Sequence, residues 1–244
     1  MRLIARLDVK NEHVIKGIHL EGLRKVGKPN EMALEYYESG VDEIVFMDAV
    51  ASLYDRNNLF NIIEAACREV FVPIAIGGGI RSVEDVSRAL DAGADKVVIN
   101  TGAIRNLNLI EKVASVFGSQ CLVGSIEAKA TGSGWEAYVD NGREPTNLDA
   151  VEWSKSLSNA GCGEIMITSI DKEGTMRGFE DELVRQISNC VSNPIIVSGG
   201  YGKPSHLKTL VSTTVPSAIA FASVLHYKKA KISELRRELE LTGI

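Results

Sequence analysis

A short apolar strand that runs into glycines occurs twice in this chain, and no other feature limits its fold so strongly. The first copy is Pro73-Ile74-Ala75-Ile76-Gly77-Gly78-Gly79-Ile80-Arg81-Ser82, and the second is Pro194-Ile195-Ile196-Val197-Ser198-Gly199-Gly200-Tyr201-Gly202-Lys203. In each, the apolar run reads as a buried parallel strand and the glycines permit a turn with bare backbone N–H groups. Ser82 then opens an amphipathic segment with Val83, Val86 and Leu90 on one face, which predicts a helix N-terminus at the same spot. Bare amides and the positive end of a helix dipole together suit a phosphate.

Other features repeat with the glycines. Asp48 and Asp171 end two matching apolar runs, and so do Asp8 and Glu127; each pair, like Gly78 and Gly199, is separated by close to half of the 244 residues. This self-similarity predicts two halves of one design, each with four strand-helix units. Eight strands alternating with eight helices at this length argue for a closed (β/α)8 TIM barrel rather than an open sheet. The even rhythm, with no Pro/Gly/Ser-rich linker, predicts one domain over residues 1–244, with half-barrels of about 1–120 and 121–244.

Composition removes several function classes. A formal charge of −5 argues against a nucleic-acid surface, although local sites for anionic small molecules remain open. The cysteines Cys67, Cys121, Cys162 and Cys190 lack C-x-x-C spacing, and the four histidines lack metal-ligand spacing. Reduced thiols, no metal and no cofactor are therefore expected. No signal peptide and no long apolar run is present, so a soluble, cytoplasmic protein without a membrane anchor is expected.

Along the chain, strands are predicted at Leu3–Val9, Glu43–Asp48, the apolar run leading to the triple glycine, Lys96–Asn100, Cys121–Glu127, Glu164–Ser169, Ile195–Ser198 and Ser217–Ala222. Helices are predicted at Glu31–Ser39, Asn57–Val70, Ser82–Asp91, Asn108–Phe117, Asn147–Asn159, Glu180–Asn189, Pro204–Val211 and Ser233–Leu241. The polar connection from Asn11 to Pro29 exceeds the usual loop length and has the size of a lid. Between Lys129 and Thr146, the run Trp135–Val139 and the pair Asn141-Gly142 predict a hairpin laid over one end of the fold.

In such a barrel the strand C-terminal ends carry function. Asp8, Asp48, Gly78, Gly79, Asn100, Glu127, Thr168, Asp171, Gly199, Gly200 and Ser223 should converge there, with Asp8 and Glu127 placed for general acid and base work. Two related glycine turns invite a ligand phosphorylated at both ends. At the opposite face, Arg2, Glu43, Lys96 and Glu164 begin four different strands with alternating charge. They form either an ordinary salt-bridged floor or a charged ring around an axial opening.

The chain resembles the cyclase subunit family of imidazole glycerol phosphate synthase over nearly its whole length. The resemblance is carried by Leu7-Asp8-Val9-Lys10, Val14-Ile15-Lys16-Gly17, Asp42-Glu43-Ile44-Val45-Phe46, Gly77-Gly78-Gly79-Ile80, Gly93-Ala94-Asp95-Lys96-Val97, Gly118-Ser119-Gln120, Gly163-Glu164-Ile165 and Thr168-Ser169-Ile170-Asp171. It implies a glutaminase subunit docked at the N-terminal face, ammonia crossing a gate of Arg2, Glu43, Lys96 and Glu164, and passage through the barrel to a phosphorylated substrate. It also implies that Lys16, Thr101, Gly174 and Ala222 join the residues at the mouth in binding substrate.

Departures from the family pattern cluster at the mouth. Glu127 replaces the second of two catalytic aspartates, Arg6 replaces a small residue, Glu173 replaces an aspartate, Tyr201 follows the second glycine pair, and Thr213-Thr214-Val215-Pro216 replaces a Gly-Ala-Asp. Side-chain displacement of about 1 Å is enough to cost on the order of 10²-fold in rate. A kept floor and an altered mouth resemble a specialised paralogue linked to surface polysaccharide. There the barrel supplies ammonia to a separate sugar amidotransferase that converts an acetamido to an acetamidino group on a nucleotide sugar. This is the reading preferred from sequence; the alternatives are the histidine-pathway cyclase, a lyase, and a non-catalytic barrel that binds a phosphorylated ligand. A related sugar-phosphate isomerase is disfavoured because Lys96 and Glu164 complete the gate.

Overall fold

The structure is a computed structural model that describes residues 1–51 and 59–242. Its wall is made of β1 (Arg2–Lys10), β4 (Glu43–Asp48), β5 (Ile74–Gly77), β6 (Lys96–Ile99), β7 (Leu122–Ala130), β10 (Glu164–Ser169), β11 (Ile195–Ser198) and β12 (Ala218–Phe221). Each is parallel to its neighbours in that order, and β12 pairs back onto β1, which closes the barrel. Closure leaves no wall edge unpaired, so buried backbone amides and carbonyls are satisfied.

Side-chain alternation divides the core in two. On β1, Leu3, Ala5, Leu7 and Val9 face outward into the large cluster under the helices. Ile4 faces inward with Val45, Ala75, Val98, Val123, Met166, Ile196, Ala218 and Ala220. The apolar stripes of α1 (Pro29–Glu38), α2 (Phe60–Ala66), α3 (Val83–Asp91), α4 (Thr101–Arg105), α5 (Asn108–Phe117), α6 (Ala150–Asn159), α7 (Asp181–Cys190), α8 (Pro204–Thr213), α9 (Ser223–His226) and α10 (Ile232–Glu240) cover the wall or its rim. Among the described residues, no helix is long and apolar enough to cross a membrane.

Several boundaries differ from the sequence expectation. The connection from Asn11 to Pro29 is not a loop: β2 (His13–Ile18) and β3 (Glu21–Gly27) form an antiparallel hairpin that extends β1. Its turn places His19 and Leu20 at positive φ, a conformation that hydropathy patterns do not reveal. The second hairpin is β8 (Trp135–Val139) and β9 (Glu144–Asp149), so the helix expected from Asn147 starts at Ala150. Asn147 has φ 59°, and Asp149 caps α6 by accepting from the Val151 and Glu152 amides. The expected start of α2 at Asn57 lies outside the described residues. Strand ends at Asn100 and Ala222 are trimmed because both residues lead into the short helices α4 and α9.

Candidate active site

At the barrel floor, four side chains form a closed ring. Arg2 bonds Glu43 at 2.6 Å and Glu164 at 2.8 Å, while Lys96 bonds the same two carboxylates at 2.9 and 3.1 Å. Each cation touches both anions, so charge alternates around the ring. The inner apolar layer packs above it. A charged ring followed by an apolar layer disfavours the entry of ions, because an unpaired charge loses its hydration inside.

The barrel interior above the apolar layer is polar and buried. Arg6 donates through Nε to Asp8 Oδ1 at 2.9 Å, and through Nη1 to Thr168 Oγ1 at 2.9 Å and Ser198 Oγ at 3.1 Å. It therefore spans from β1 to β10 and β11. Lys16, on β2, folds over the mouth and bonds Asp8 Oδ2 at 3.3 Å and Glu173. Burial alone would raise the Asp8 carboxyl, but the nearby Arg6 and Lys16 charges hold it down at about 2. Burial would likewise lower Lys16, yet Glu173 and Asp8 raise it. Asp8 is thus a fixed carboxylate.

Glu127 stands opposite. Three strands separate β7 from β1 in either direction around the wall, so the two carboxyls face each other across the mouth. Glu127 Oε2 accepts from Asn100 Nδ2 at 3.0 Å and from the Gly142 amide at 2.8 Å. Desolvation pushes its carboxyl up to about 7, against the opposing pull of Arg6 and these two donors. One carboxyl held ionised and one poised near neutrality is an arrangement suited to general acid–base chemistry.

Two cradles flank the mouth on opposite sides. The first is lined by Asp48, Gly78, Gly79, Arg81, Asn100 and Thr101 beside Glu127, around a cavity of about 60 Å³. Gly174, Gly199, Gly200, Ala222 and Ser223 line the second, a smaller cavity of about 20 Å³. Gly78 has φ 93°, and a Cβ there would collide with the Asp48 carbonyl oxygen. The helix expected to point at the first cradle is corrected, however. At the head of α3, Ser82 Oγ accepts from the Asp85 amide and Asp85 Oδ2 accepts from the Arg81 and Ser82 amides, so these donors are spent. The cradles are lined by the glycine turns themselves together with the first residues of α4 and α9.

Asp171 does not join either cradle: its Oδ2 accepts from the Ala130 amide at 2.7 Å, tying the end of β7 to the loop after β10. The β2–β3 turn closes the top. His19 donates through its amide to the Glu173 carbonyl at 2.8 Å and through Nδ1 to the Ile170 carbonyl at 2.9 Å. Tyr201 lines the second cradle, packs on Phe221 and donates its hydroxyl to Glu238 on α10. Sequence reasoning missed Ser198, Arg81, Arg105 and Asp140; only the turn signal Asn141-Gly142 pointed to the last of these neighbourhoods. Among the described residues, no group of three His, Cys, Asp or Glu side chains is placed to hold a metal ion.

Residues 2–231 match the sequence model of a family described as histidine biosynthesis protein. The chain belongs to that family. Within it, the imidazole glycerol phosphate synthase subunit HisF of Legionella pneumophila is 57% identical over 204 residues, covering 83% of this chain and 96% of the relative. The HisF subunits of Methanopyrus kandleri and Dehalococcoides mccartyi are each 42% identical, over 262 and 243 residues, covering 100% of this chain and 96% of each relative. Their names back the synthase subunit, given from sequence as the alternative, better than the acetamidino-sugar paralogue preferred there.

Proposed function

We propose that this histidine biosynthesis family member is an imidazole glycerol phosphate synthase cyclase subunit, a lyase that receives ammonia from a glutaminase subunit docked at its floor. The observation that carries this reading is the closed ring of Arg2, Glu43, Lys96 and Glu164 on the same axis as the Asp8 and Glu127 mouth. The apolar layer between them suits neutral ammonia. Partner docking at the floor is supported by exposed Phe71, Val116, Val215 and Leu241, which precede wall strands or end helices on that side.

In this reading the Gly78 and Gly199 cradles hold the two phosphates of the substrate, with Thr101 and Ser223 beside them. Glu127 exchanges the proton that the ring closure requires, and Asp8, fixed as an anion, stabilises positive charge developing opposite. The test is turnover of the bisphosphate ribonucleotide by the purified barrel with ammonium salt, and then with glutamine and a glutaminase subunit. Absence of turnover in both would defeat the cyclase reading.

One observation favours a second reading. The Arg6 guanidinium reaches Thr168 and Ser198 inside the barrel where the resemblance implies a small residue, and Glu127 is longer than the aspartate implied there. A barrel so altered supports supplying ammonia to a separate sugar amidotransferase that forms an acetamidino group. That reading predicts no cyclase turnover, restoration of some by Glu127→Asp, and co-purification with both a glutaminase and an amidotransferase. A barrel that only binds phosphorylated ligands predicts neither partner.

A further inference from the structure

Glu127 is held by a turn that is itself held from outside the mouth. The turn between β8 and β9 places Asp140, Asn141 and Gly142 at φ 54°, 59° and 73° in succession. Asp and Asn enter the left-handed region more readily than other non-glycine residues but also adopt other conformations, so surrounding contacts must select this shape. Two contacts from α4 do so: the Asp140 amide donates to Thr101 Oγ1 at 3.1 Å, and Arg105 Nη2 bonds Asp140 Oδ2 at 3.3 Å. The Asp140 carboxylate is buried, and its other oxygen has no hydrogen-bond partner. Arg105 is thus its ionic contact, and without it a buried charge would stand alone.

At the far end of the same turn, the Gly142 amide donates to Glu127 Oε2. Asn100 donates to that same oxygen, and its second acceptor, the Tyr138 carbonyl, lies on β8 one residue before the end of the strand. Both donors to Glu127 therefore depend on where this hairpin ends. The remaining charges that act on Glu127, Arg6 and Asp8, come from β1 and do not touch the turn.

We infer that Arg105 and Asp140 are positioning residues for Glu127: their ion pair locks the left-handed turn so that the Gly142 N–H lies on Oε2 and leaves Oε1 for the reacting ligand. Neither residue takes a proton itself. This inference rests on Glu127 being the acid–base group of the mouth, and it adds α4 to the machinery: the helix that lines the first cradle with Thr101 also sets the carboxyl beside it. Ligand binding in that cradle, against Arg105, is thereby coupled to the state of Glu127.

The test is a carboxyl-carbon NMR titration of Glu127 in the full chain without substrate, for the parent, Arg105→Ala, Asp140→Asn and Arg105→Lys. Asn tolerates the left-handed backbone, so Asp140→Asn removes the charge and leaves the fold. Loss of a donor to the ionised form should move the Glu127 titration upward by about one unit in Arg105→Ala and Asp140→Asn. Arg105→Lys should return it towards the parent value. An unchanged titration in either charge-removing variant overturns the inference, and so does a shift that Arg105→Lys fails to restore. Because no substrate is present, a barrel that titrates as expected yet never turns over the ribonucleotide would refute the proposed reaction while leaving the positioning role intact.

Discussion

Arg6 and Asp8 stand two residues apart on β1 and are bonded to each other inside the barrel, Nε to Oδ1 at 2.9 Å. Residues two apart on a strand share a face, so one strand supplies both the carboxylate and the cation that fixes it. Arg6 is 1% exposed and Asp8 5% exposed, so neither charge is stabilised by water. Replacing Arg6 with leucine should destabilise the fold by about 3–5 kcal/mol, the range for breaking a buried pair from one side. It should also raise the Asp8 titration from about 2. Denaturant unfolding and an NMR titration of Asp8 check the two effects.

Glu127 predicts a pH dependence of opposite sign to that of Asp8. Its folded carboxyl is raised from 4.5 to about 7, so its contribution to stability is fully present below pH 4.5 and is lost as pH rises towards and through 7. Glu127→Gln removes this loss. The variant should gain on the parent between pH 4.5 and 7 by roughly 3 kcal/mol, read as the difference between denaturation curves at the two ends of that window. Asp8, lowered from 3.8 to about 2, contributes stability above 3.8 that is lost as pH falls through about 2.

Lys96→Met opens the floor ring and leaves Glu43 and Glu164 sharing Arg2 alone. Under the proposed function, turnover driven by glutamine should fall while turnover driven by added ammonium is retained, because the mouth is untouched. A modest stability loss of about 1–3 kcal/mol should accompany it. Parallel assays with the two nitrogen sources on the assembled complex measure the difference.

Gly78→Ala places a side chain where φ is 93° and where the Asp48 carbonyl already stands. The strain should cost about 1–3 kcal/mol and close the first cradle. Calorimetric titration with the bisphosphate ribonucleotide should show binding weakened far more than by Gly132→Ala, since the region around Gly132 is open.

The eight wall strands and most helices were legible because burial imposes periodicity: apolar runs for strands covered on both faces, and stripes for helices lying on them. The convergence of Asp8, Glu127 and the two glycine turns followed from the barrel rule. Closure alone brings strand ends together, whatever the side chains are. The β2–β3 hairpin was not legible, because its turn uses His19 and Leu20 at positive φ rather than glycine. Nor was the spent state of the α3 head, since Ser82 and Asp85 satisfy it internally, which is a matter of rotamers.

By itself, then, the sequence determined the architecture and which residues stand at the floor and at the mouth, because these depend on strand order and on which side of the pleat a residue falls. Tertiary structure alone decided that Arg6 reaches Thr168 and Ser198, that Lys16 folds onto Asp8 and Glu173, and that Arg105 reaches across to Asp140. Those contacts join residues far apart in the chain through long side chains. Their partners are chosen by distance and desolvation within the closed barrel, quantities that no local pattern encodes.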